Sequence, residues 1–338
     1  MKSLNFLAAL CFLMFITSCS RFMMPSKPLN TPTNCFDLMW QTIDEKYSFF
    51  EYKKIDWDSM RRRYRFRVQD TMSQDALFNV LSEMLYELKD GHVNLTSSFD
   101  RSRNWSWRDN YEDNFNQNFV QRQYFQQNFR ITGALQNKII DSIGYVRYPS
   151  FGMPISEADL DYIFERFRPM KGMIIDVRDN GGGSMANIFK WMSRFVKYKT
   201  LVGYGWVKNG VGHTDFAKKI DFYAQPRKGI VPFTKPVMVL TNRGCYSATN
   251  FFAGFMSHLP NVTLIGDNTG GGGGLPVSAD LPNGWQYRFS ATYATLPDGF
   301  NIEFGVAPDI RVSTGAKEEL EGKDAIIERA LKEIREKR

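Results

Sequence analysis

The chain has 338 residues, of which 43% are hydrophobic and 15% aromatic, with ordinary numbers of Pro (14) and Gly (26). So apolar a composition excludes a disordered or collagen-like chain, because buried surface can offset the conformational entropy lost on folding. The net charge of +7 comes from scattered basic residues apart from Arg61–Arg63, so we expect no nucleic-acid partner, and the length allows two domains or a large domain with a small one.

The N-terminus has the pattern of an exported protein. An apolar run, Leu4–Ile16, is shorter than the roughly 20 residues of a membrane span and matches the hydrophobic region of a secretory signal. The tetrapeptide Ile-Thr-Ser-Cys that ends at Cys19 resembles a bacterial lipobox. We therefore predict a lipoprotein signal peptide over residues 1–18, lipidation of Cys19 and a tether over residues 19–32. An ordinary cleaved signal or a short anchor is the alternative.

The lipobox interpretation predicts a location. A lipid on Cys19 would anchor the protein outside the cytoplasm to a bacterial membrane, and Ser20 resembles the residue of lipoproteins sent to the outer membrane, on its periplasmic or surface side. Only Cys35 and Cys245 would then remain in the mature chain. At most one disulfide could form, and we expect two buried thiols instead.

Residues 33–99 have a helical pattern and predict an N-terminal helical domain. Apolar residues recur at three- and four-residue steps, most clearly over Ala76–Leu88. Gly91 suits the left-handed residue that ends a helix. The period then changes to two, so we expect His92 at a helix-to-strand corner, where a side chain is held without entering the core.

Residues 100–138 are rich in Asn, Gln and aromatic residues and have no clear period. They predict a connector, with a lid-like binding surface as the alternative. Residues 139–315 have the texture of an α/β domain, with strand, turn and helix twice in succession. Such units favour a mostly parallel sheet with helices packed against it. Asn283-Gly284 and Asp298-Gly299 predict hairpins, and residues 316–338 a C-terminal helix.

Two turns in the α/β region carry chemical information. Three glycines, Gly181–Gly183, lie between a buried strand and a helix, where backbone N–H groups can face an anion. A phosphate cradle and an oxyanion hole are both open, although the P-loop and Rossmann spacings are absent. In the second turn, Ser247 opens a helix directly after a strand, as a nucleophile does in a nucleophile elbow; from local sequence alone, an ordinary helix N-cap is the simpler interpretation.

The chain has three imidazoles, at His92, His213 and His258. Their spacing fits no zinc motif, so we expect no metal and no cofactor. His258 lies about 16 Å along the helix that Ser247 opens, at 1.5 Å per residue, and is out of reach of that hydroxyl. His213, in a Gly-rich loop, is a weaker candidate for a base than His92.

Four segments in register resemble one family. They are Arg178–Gly183, Thr241–Thr249, Gly266–Gly272 and Gly305–Ile310. In this order they resemble the C-terminal processing (tail-specific) serine peptidases and their tricorn-core-like relatives over about Asp141–Val312. Asp37–Leu95 resembles the helical segment of the tricorn-like branch. The resemblance implies an α/β fold, a ClpP/crotonase-like sheet-and-helix serine peptidase domain preceded by a small helical domain, here without room for a PDZ domain between His92 and Ile143.

The resemblance also implies site residues. Ser247 falls on the nucleophile, and Ala248 with Gly182 or Gly183 on the oxyanion hole. The lysine base of the processing proteases is replaced by Gly272, and no Lys lies between Lys235 and Lys317. The tricorn-like branch instead has a His at the position of His92 and an acid at the position of Glu303. Tricorn has a Ser before that His, where this chain has Gly91.

The resulting prediction is a serine-type peptidase that cleaves peptide bonds by acyl transfer. Ser247 is the expected nucleophile, His92 the base and Glu303 the orienting acid, directly or through a water or hydroxyl. The expected partners are a peptide or protein substrate, short or already cleaved peptides first, and a membrane through the lipid anchor. Two alternatives use the same fold: a non-catalytic binder of hydrophobic ligands or peptides, and an esterase.

Overall fold

The computed structural model describes residues 29–336; the predicted signal peptide, Cys19 and most of the predicted tether lie outside them. The helices are α1 (Pro32–Lys46), α2 (Phe50–Lys53), α3 (Trp57–Arg65), α4 (Gln74–Tyr86), α5 (Gln117–Val120), α6 (Glu157–Phe167), α7 (Met185–Met192), α8 (Ala248–Ser257), α9 (Ala316–Leu320) and α10 (Ala325–Glu336). The strands are β1 (Asn94–Thr96), β2 (Arg130–Thr132), β3 (Leu135–Ile140), β4 (Ile143–Arg147), β5 (Met173–Asp176), β6 (Thr200–Val207), β7 (Ile220–Ala224), β8 (Val237–Thr241), β9 (Val262–Gly266), β10 (Pro276–Asp280), β11 (Gln286–Ser290), β12 (Thr292–Thr295) and β13 (Ile310–Arg311).

A seven-stranded sheet forms the centre of the fold, in the order β13-β9-β8-β5-β4-β3-β2. The five strands from β13 to β4 run parallel, and β3 pairs antiparallel with both of its neighbours, β4 and β2. Successive residues of β5 enter different cores: Ile175 packs with the residues of α6, α7 and α8, and Ile174 with those of α10. The sheet therefore has helices on both faces, which confirms the predicted α/β fold class.

The sheet begins earlier in the chain than the sequence predicts. β2 and the first part of β3 lie inside residues 100–138, which were predicted to be a connector. Gly133, with φ +55°, turns the chain between them. Polar residues over 136–138 conceal the strand period, because β3 packs near the edge of the sheet, where only β2 lies beyond it.

The helical region is completed by strands from the other end of the chain. Helices α1 to α4 pack on a second sheet with the order β1-β11-β10, in which Asn94 lies opposite Arg288. Trp285, Tyr287 and Phe289 belong to the same core as these helices. Residues 33–99 are therefore only part of this unit, and the hairpin predicted at Asn283-Gly284 is the part that closes it.

A third sheet, in the order β12-β6-β7, extends the α/β region. Cys35 and Cys245 are buried free thiols, as predicted. Within residues 29–336, no helix is both long and apolar enough to cross a membrane.

A buried ion pair joins the two regions. Lys53, at the end of α2, places its ammonium 2.7 Å from the Glu303 carboxylate, and each side chain is only 3% exposed. The same ammonium donates hydrogen bonds to the carbonyls of Leu88 (3.2 Å) and Lys89 (3.0 Å). The other carboxylate oxygen accepts the amide N–H of Gly273 at 2.8 Å. Lys53 therefore ties the chain after α4 to the glycine segment of the α/β region.

Burial raises the pKa of Glu303 to about 7, although the charge of Lys53 lowers it. The pair is thus sensitive to pH. In the unfolded chain the pKa of a Glu is about 4.3. Between these values the folded state binds the proton and the unfolded state does not, so this group's contribution to the free energy of unfolding falls as pH rises from about 4.3 through about 7.

We predict that Lys53→Met destabilises the protein by about 3–5 kcal/mol at pH 8, because it leaves the Glu303 carboxylate buried without its cation. The loss should be smaller at pH 5, where Glu303 can be neutral. Denaturant unfolding of both proteins at the two pH values measures it. Lys54→Met, at the exposed neighbouring residue, is the matched control. Equal losses for the two variants, or no dependence on pH, would contradict the prediction.

Candidate active site

Two loops that follow neighbouring parallel strands meet at one edge of the central sheet. β5 leads into Arg178–Gly183 and β8 into Asn242–Ser247. The carboxyl ends of parallel strands are where open α/β sheets form crevices. A Cβ on Gly182 would lie 2.8 Å from Ser247 Cβ and 2.9 Å from the amide nitrogen of Ala248. Only a glycine allows the two loops to touch in this way.

Ser247 lies in a strained turn between β8 and α8. Its φ of 55° and ψ of −123° are unusual for a residue with a Cβ, and its hydroxyl makes no capping bond to α8. Ser247 therefore occupies the N-cap position of α8, but its hydroxyl does not cap the helix. Its amide instead donates to the carbonyl of Gly271 at 2.9 Å. The side chain is left free to face the crevice, as the sequence predicted for a nucleophile elbow.

His92 reaches this serine from the helical region. Its Nε2 lies 2.9 Å from Ser247 Oγ, and its backbone amide donates to Asp90 Oδ1 at 2.8 Å. The predicted corner between α4 and β1 is present. The left-handed residue there is Lys89 (φ 45°), not Gly91.

The imidazole is held in its neutral form. His92 is 5% exposed, and burial lowers its pKa to about 4, helped by the charges of Arg288 and Lys53. Asp90 acts in the opposite direction and raises it. At neutral pH a ring nitrogen can therefore accept the proton of the Ser247 hydroxyl.

Asp90 is the carboxylate that faces the imidazole. Its Oδ1 lies 3.9 Å from His92 Nδ1, and that nitrogen has no hydrogen-bond partner within residues 29–336. Its Oδ2 accepts the hydroxyls of Tyr47 (3.2 Å) and Ser290 (2.9 Å). Burial would raise the pKa of Asp90, but the charges of Lys53 and His92 and these hydrogen bonds hold it below its usual value. Asp90 is therefore a fixed negative charge beside the ring.

The prediction that Glu303 directly orients His92 is wrong for this structure. Both Glu303 oxygens are occupied, by Lys53 and by the amide of Gly273. In the described part of the chain, its carboxylate forms no ion pair with His92 within 4.0 Å. Asp90 precedes His92 by two residues in the sequence, but the family pattern pointed to Glu303. The proximity of Asp90 to the base, two residues away, was the available signal.

The space of a lysine base is already filled. A Cβ on Gly272 (φ +78°) would lie 2.6 Å from the ring of Tyr246 and 3.1 Å from His92 Cε1. A lysine there would collide with both rings. Gly91 is explained in the same way, because its Cβ would lie 2.6 Å from the Tyr246 hydroxyl and from Trp107 Nε1.

Gly182 and Gly183 were the two candidate oxyanion donors in the glycine loop, and only one of their amides is free of a hydrogen bond within residues 29–336. Asn180 Oδ1 accepts the N–H of Gly182 at 3.0 Å, so Gly182 is removed from the predicted oxyanion donors. The N–H groups of Gly183 and Ala248 have no backbone or side-chain acceptor in the part of the chain that the structure describes. Gly183 lines the same cleft as Ser247. These two amides remain as donors for a negatively charged oxygen.

A cleft of about 520 Å³ contains Ser247 and His92. This volume suits a small ligand or a few peptide residues. Tyr246 and Trp107 stack in its wall with ring centroids 4.3 Å apart. Trp107 comes from residues 100–138, so part of this segment is a cleft surface and not only a connector. No period marks Trp107 in the sequence, because it lies in an irregular loop.

The other histidines lie elsewhere. His213 pairs with Asp44 at 2.8 Å and stacks on Phe50, and His258 caps the end of α8 near the carbonyl of Gly254. Neither lines the cleft of Ser247. Among residues 29–336, no group of three His, Cys, Asp or Glu side chains is arranged to hold a metal ion.

Comparisons with known proteins agree with this arrangement. The model of Peptidase family S41 matches residues 142–312, and that of the Tricorn protease C1 domain matches residues 28–86. The solved structure of a candidate peptidase from Parabacteroides merdae ATCC 43184 is 44% identical, with a TM-score of 0.86 over 90% of this chain and 97% of that chain.

Curated relatives are more distant. The carboxy-terminal-processing protease of Bartonella bacilliformis is 25% identical over 202 residues, which cover 57% of this chain and 44% of the relative. The carboxy-terminal processing protease CtpA of Bacillus subtilis is 28% identical over 175 residues, 51% of this chain and 35% of the relative. This chain thus spans less than half the length of these two relatives.

The family resemblance predicted from four short motifs is confirmed, including the tricorn-like character of the helical region. The matched S41 region contains both loops of the cleft and Ser247, and the C1 match ends just before the His92 corner. From the fold, the motifs and these matches together, the chain belongs to peptidase family S41.

Proposed function

We propose that this protein is a serine peptidase that uses Ser247 as nucleophile and His92 as general base. The observation that carries the proposal is the 2.9 Å contact between His92 Nε2 and Ser247 Oγ, made between residues 155 positions apart in the chain. An alcohol is a weak nucleophile unless a base removes its proton as it attacks. A neutral imidazole at hydrogen-bond distance is such a base.

The reaction follows from these positions. Ser247 Oγ attacks the peptide carbonyl carbon while its proton passes to His92 Nε2. The C–N bond then breaks, His92 gives the proton to the leaving amine, and an acyl-enzyme forms. A water molecule next attacks the ester carbonyl and gives one proton to His92. The bond between the acyl carbon and Ser247 Oγ then breaks, His92 returns the proton to Ser247 Oγ, and the new carboxyl group is released.

The charged intermediates have stabilising partners. Gly183 and Ala248 offer their free amides to the oxygen that becomes negative when the carbonyl is attacked, each worth about 3–4 kcal/mol in a characterised protease. Asp90, 3.9 Å from the opposite ring nitrogen, stabilises the imidazolium by its charge. This assigns to Asp90 the role that the family pattern assigned to Glu303.

Peptides are the proposed substrates, and short or already cleaved peptides fit the open cleft. C-terminal processing is the activity of the named relatives and is the proposed class here. We also propose that Cys19 carries a lipid anchor and that the enzyme works outside the cytoplasm. These proposals rest on the N-terminal sequence and not on residues 29–336.

We predict that Ser247→Ala and His92→Ala each reduce peptide hydrolysis by about a thousandfold or more, because each removes one member of a pair that acts as a unit. His213→Ala, the same substitution at a histidine outside the cleft, should keep wild-type activity. Rates on a peptide pool, with circular dichroism as a check on folding, measure this. Full activity of a folded Ser247→Ala or His92→Ala variant would refute the mechanism.

A fluorophosphonate probe distinguishes the alternatives. It should label the wild-type protein at Ser247 and not the Ser247→Ala variant, because it reacts with an activated serine. An unlabelled wild-type protein that binds peptides or hydrophobic ligands would favour the non-catalytic alternative. Turnover of esters without cleavage of any peptide would favour the esterase.

We predict that kcat/KM on an uncharged peptide stays constant down to about pH 5 and falls only near pH 4, because His92 keeps its neutral form to that pH. Asp90→Asn should move this acid limb lower, since the Asp90 charge raises the pKa of His92, and should reduce kcat about tenfold or more. An acid limb near pH 6.5 in the wild-type protein would contradict the prediction.

Folding must be followed in the same experiment. An unfolded chain protonates its histidines below about pH 6.5, whereas His92 in the folded protein does so only near pH 4. The unfolded state therefore binds more protons between these values. The contribution of His92 to the free energy of unfolding therefore falls as the pH is lowered through this range, opposite in sign to that of Glu303.

A further inference from the structure

An arginine lines the cleft of the proposed nucleophile. Arg288, on β11, lines the cleft together with Ser247 and His92. It is placed there because β11 pairs with β1, and its backbone partner Asn94 follows His92 by two residues. Within residues 29–336, the Arg288 guanidinium makes no hydrogen bond and no ion pair within 4.0 Å, although the residue is partly buried.

A second arginine strengthens the positive charge. Burial and the nearby charge of Arg101 both lower the pKa of Arg288, so the two guanidinium groups repel each other. Arg101 and Arg103 line an adjoining cavity of about 190 Å³ that shares Gly91 with the cleft. Neither has a carboxylate partner in the described part of the chain. Elsewhere the exposed arginines of α3 each have an acid within 4.0 Å.

Arg108 shows what a compensated arginine looks like in the same cleft. Its guanidinium lies 3.1 Å from Asp113 and 3.7 Å from Asp179. Among residues 29–336, no acid lies within 4.0 Å of the Arg288 guanidinium: Asp90 acts on it only by its charge and is already hydrogen-bonded by Tyr47 and Ser290. In the described part of the chain, a ligand with a negative group would therefore find a guanidinium without a carboxylate contact at Arg288, whereas Arg108 already has two.

The chemistry of the missing partner follows from the side chain. A guanidinium offers paired N–H donors in a plane, which match the two oxygens of a carboxylate, and such charge-assisted pairs are among the stronger hydrogen bonds. If the cleft cleaves peptides, as proposed above, the group that a substrate brings there is an acidic side chain or a C-terminal carboxylate.

We propose that Arg288, with Arg101 beside it, binds a carboxylate of the peptide substrate next to Ser247. The enzyme then favours peptides that carry an acidic group close to the cleaved bond. This inference deepens the proposed function and rests on it. Arg288 is a specificity-determining residue in this scheme and takes no part in the proton transfers.

The experiment uses matched pools of octapeptides with random neutral residues at the flanking positions. One pool has Glu at the centre and the other Gln, and each is made with blocked ends and with a free C-terminus. The Gln pool with blocked ends is the neutral pool, and every pool with a central Glu or a free C-terminus is an acidic pool. We expect the wild-type protein to cleave at least one acid-bearing pool about tenfold or more faster than its neutral counterpart. A preference for Glu with blocked ends identifies a side chain, and a preference for free C-termini identifies the terminal carboxylate.

The preference should depend on Arg288. In Arg288→Gln we expect the ratio to fall to within about threefold of one. Arg62→Gln, which removes a positive charge from the exposed surface of α3, should keep the wild-type ratio. Equal cleavage of acidic and neutral pools by the wild-type protein, or a preference that survives Arg288→Gln, overturns the inference while leaving the peptidase proposal standing.

Binding separates the inference from the mechanism. Ser247→Ala should bind the preferred acidic pool about tenfold or more tightly than the neutral pool, as followed by the fluorescence of Trp105 and Trp107 in the cleft wall. The Ser247→Ala/Arg288→Gln double variant should lose this difference. If wild-type protein cleaves no pool but this binding difference is present, the proposed peptidase function fails and the carboxylate site stands. Equal binding of both pools overturns the site.

Discussion

The buried Lys53–Glu303 pair is the interaction on which the arrangement of the site depends. Ser247, the proposed nucleophile, follows a strand of the central sheet, and His92, the proposed base, lies in the helical region, so the hydrogen bond between them requires both regions to be in register. Lys53 holds the chain just before His92 through the carbonyls of Leu88 and Lys89, while Glu303 holds the glycine segment whose Gly271 receives the amide of Ser247. The contacts of Lys53 and Glu303 therefore position both residues of the proposed proton transfer.

The same contacts explain why Glu303, the acid that the family resemblance assigned to the histidine, pairs with Lys53 instead. One oxygen of this carboxylate lies 2.7 Å from the lysine and the other accepts a backbone amide, so neither oxygen is free to accept a hydrogen bond from an imidazole. Asp90 is closer to His92 in sequence and space, and the charge of Lys53, with that of His92 and its own hydrogen bonds, holds its pKa below the usual value against the effect of burial. Glycines matter for a related reason: the rings of His92 and Tyr246 occupy the volume above Gly272 that a lysine base would need. The packing of these two rings therefore requires a glycine at Gly272 and leaves no room there for a lysine.

Much of this could be read from the sequence, and the failures have physical causes. The turn before Ser247 and the corner before His92 are local features, and the predicted residues meet. The choice between Gly182 and Gly183 depends on the side chain of Asn180, and that between Asp90 and Glu303 on Lys53, far away in the chain. The contribution of Trp107 to the cleft arises in a loop without periodicity. Long-range partners, not local propensity, decided each of these points.

The pairing of β1 with β11 also determines when contacts of the helical region can form, because β11 comes late in the chain. Asn94 has no strand partner until Arg288 exists, and the anchoring carboxylate comes later still, at Glu303. Contacts between residues nearly 200 positions apart form slowly, because a long loop must close first. A partly synthesised chain therefore holds Ser247 and His92 without the contacts of Arg288 and Glu303 that join their two regions. The cleft is complete only when the chain has been made through Glu303.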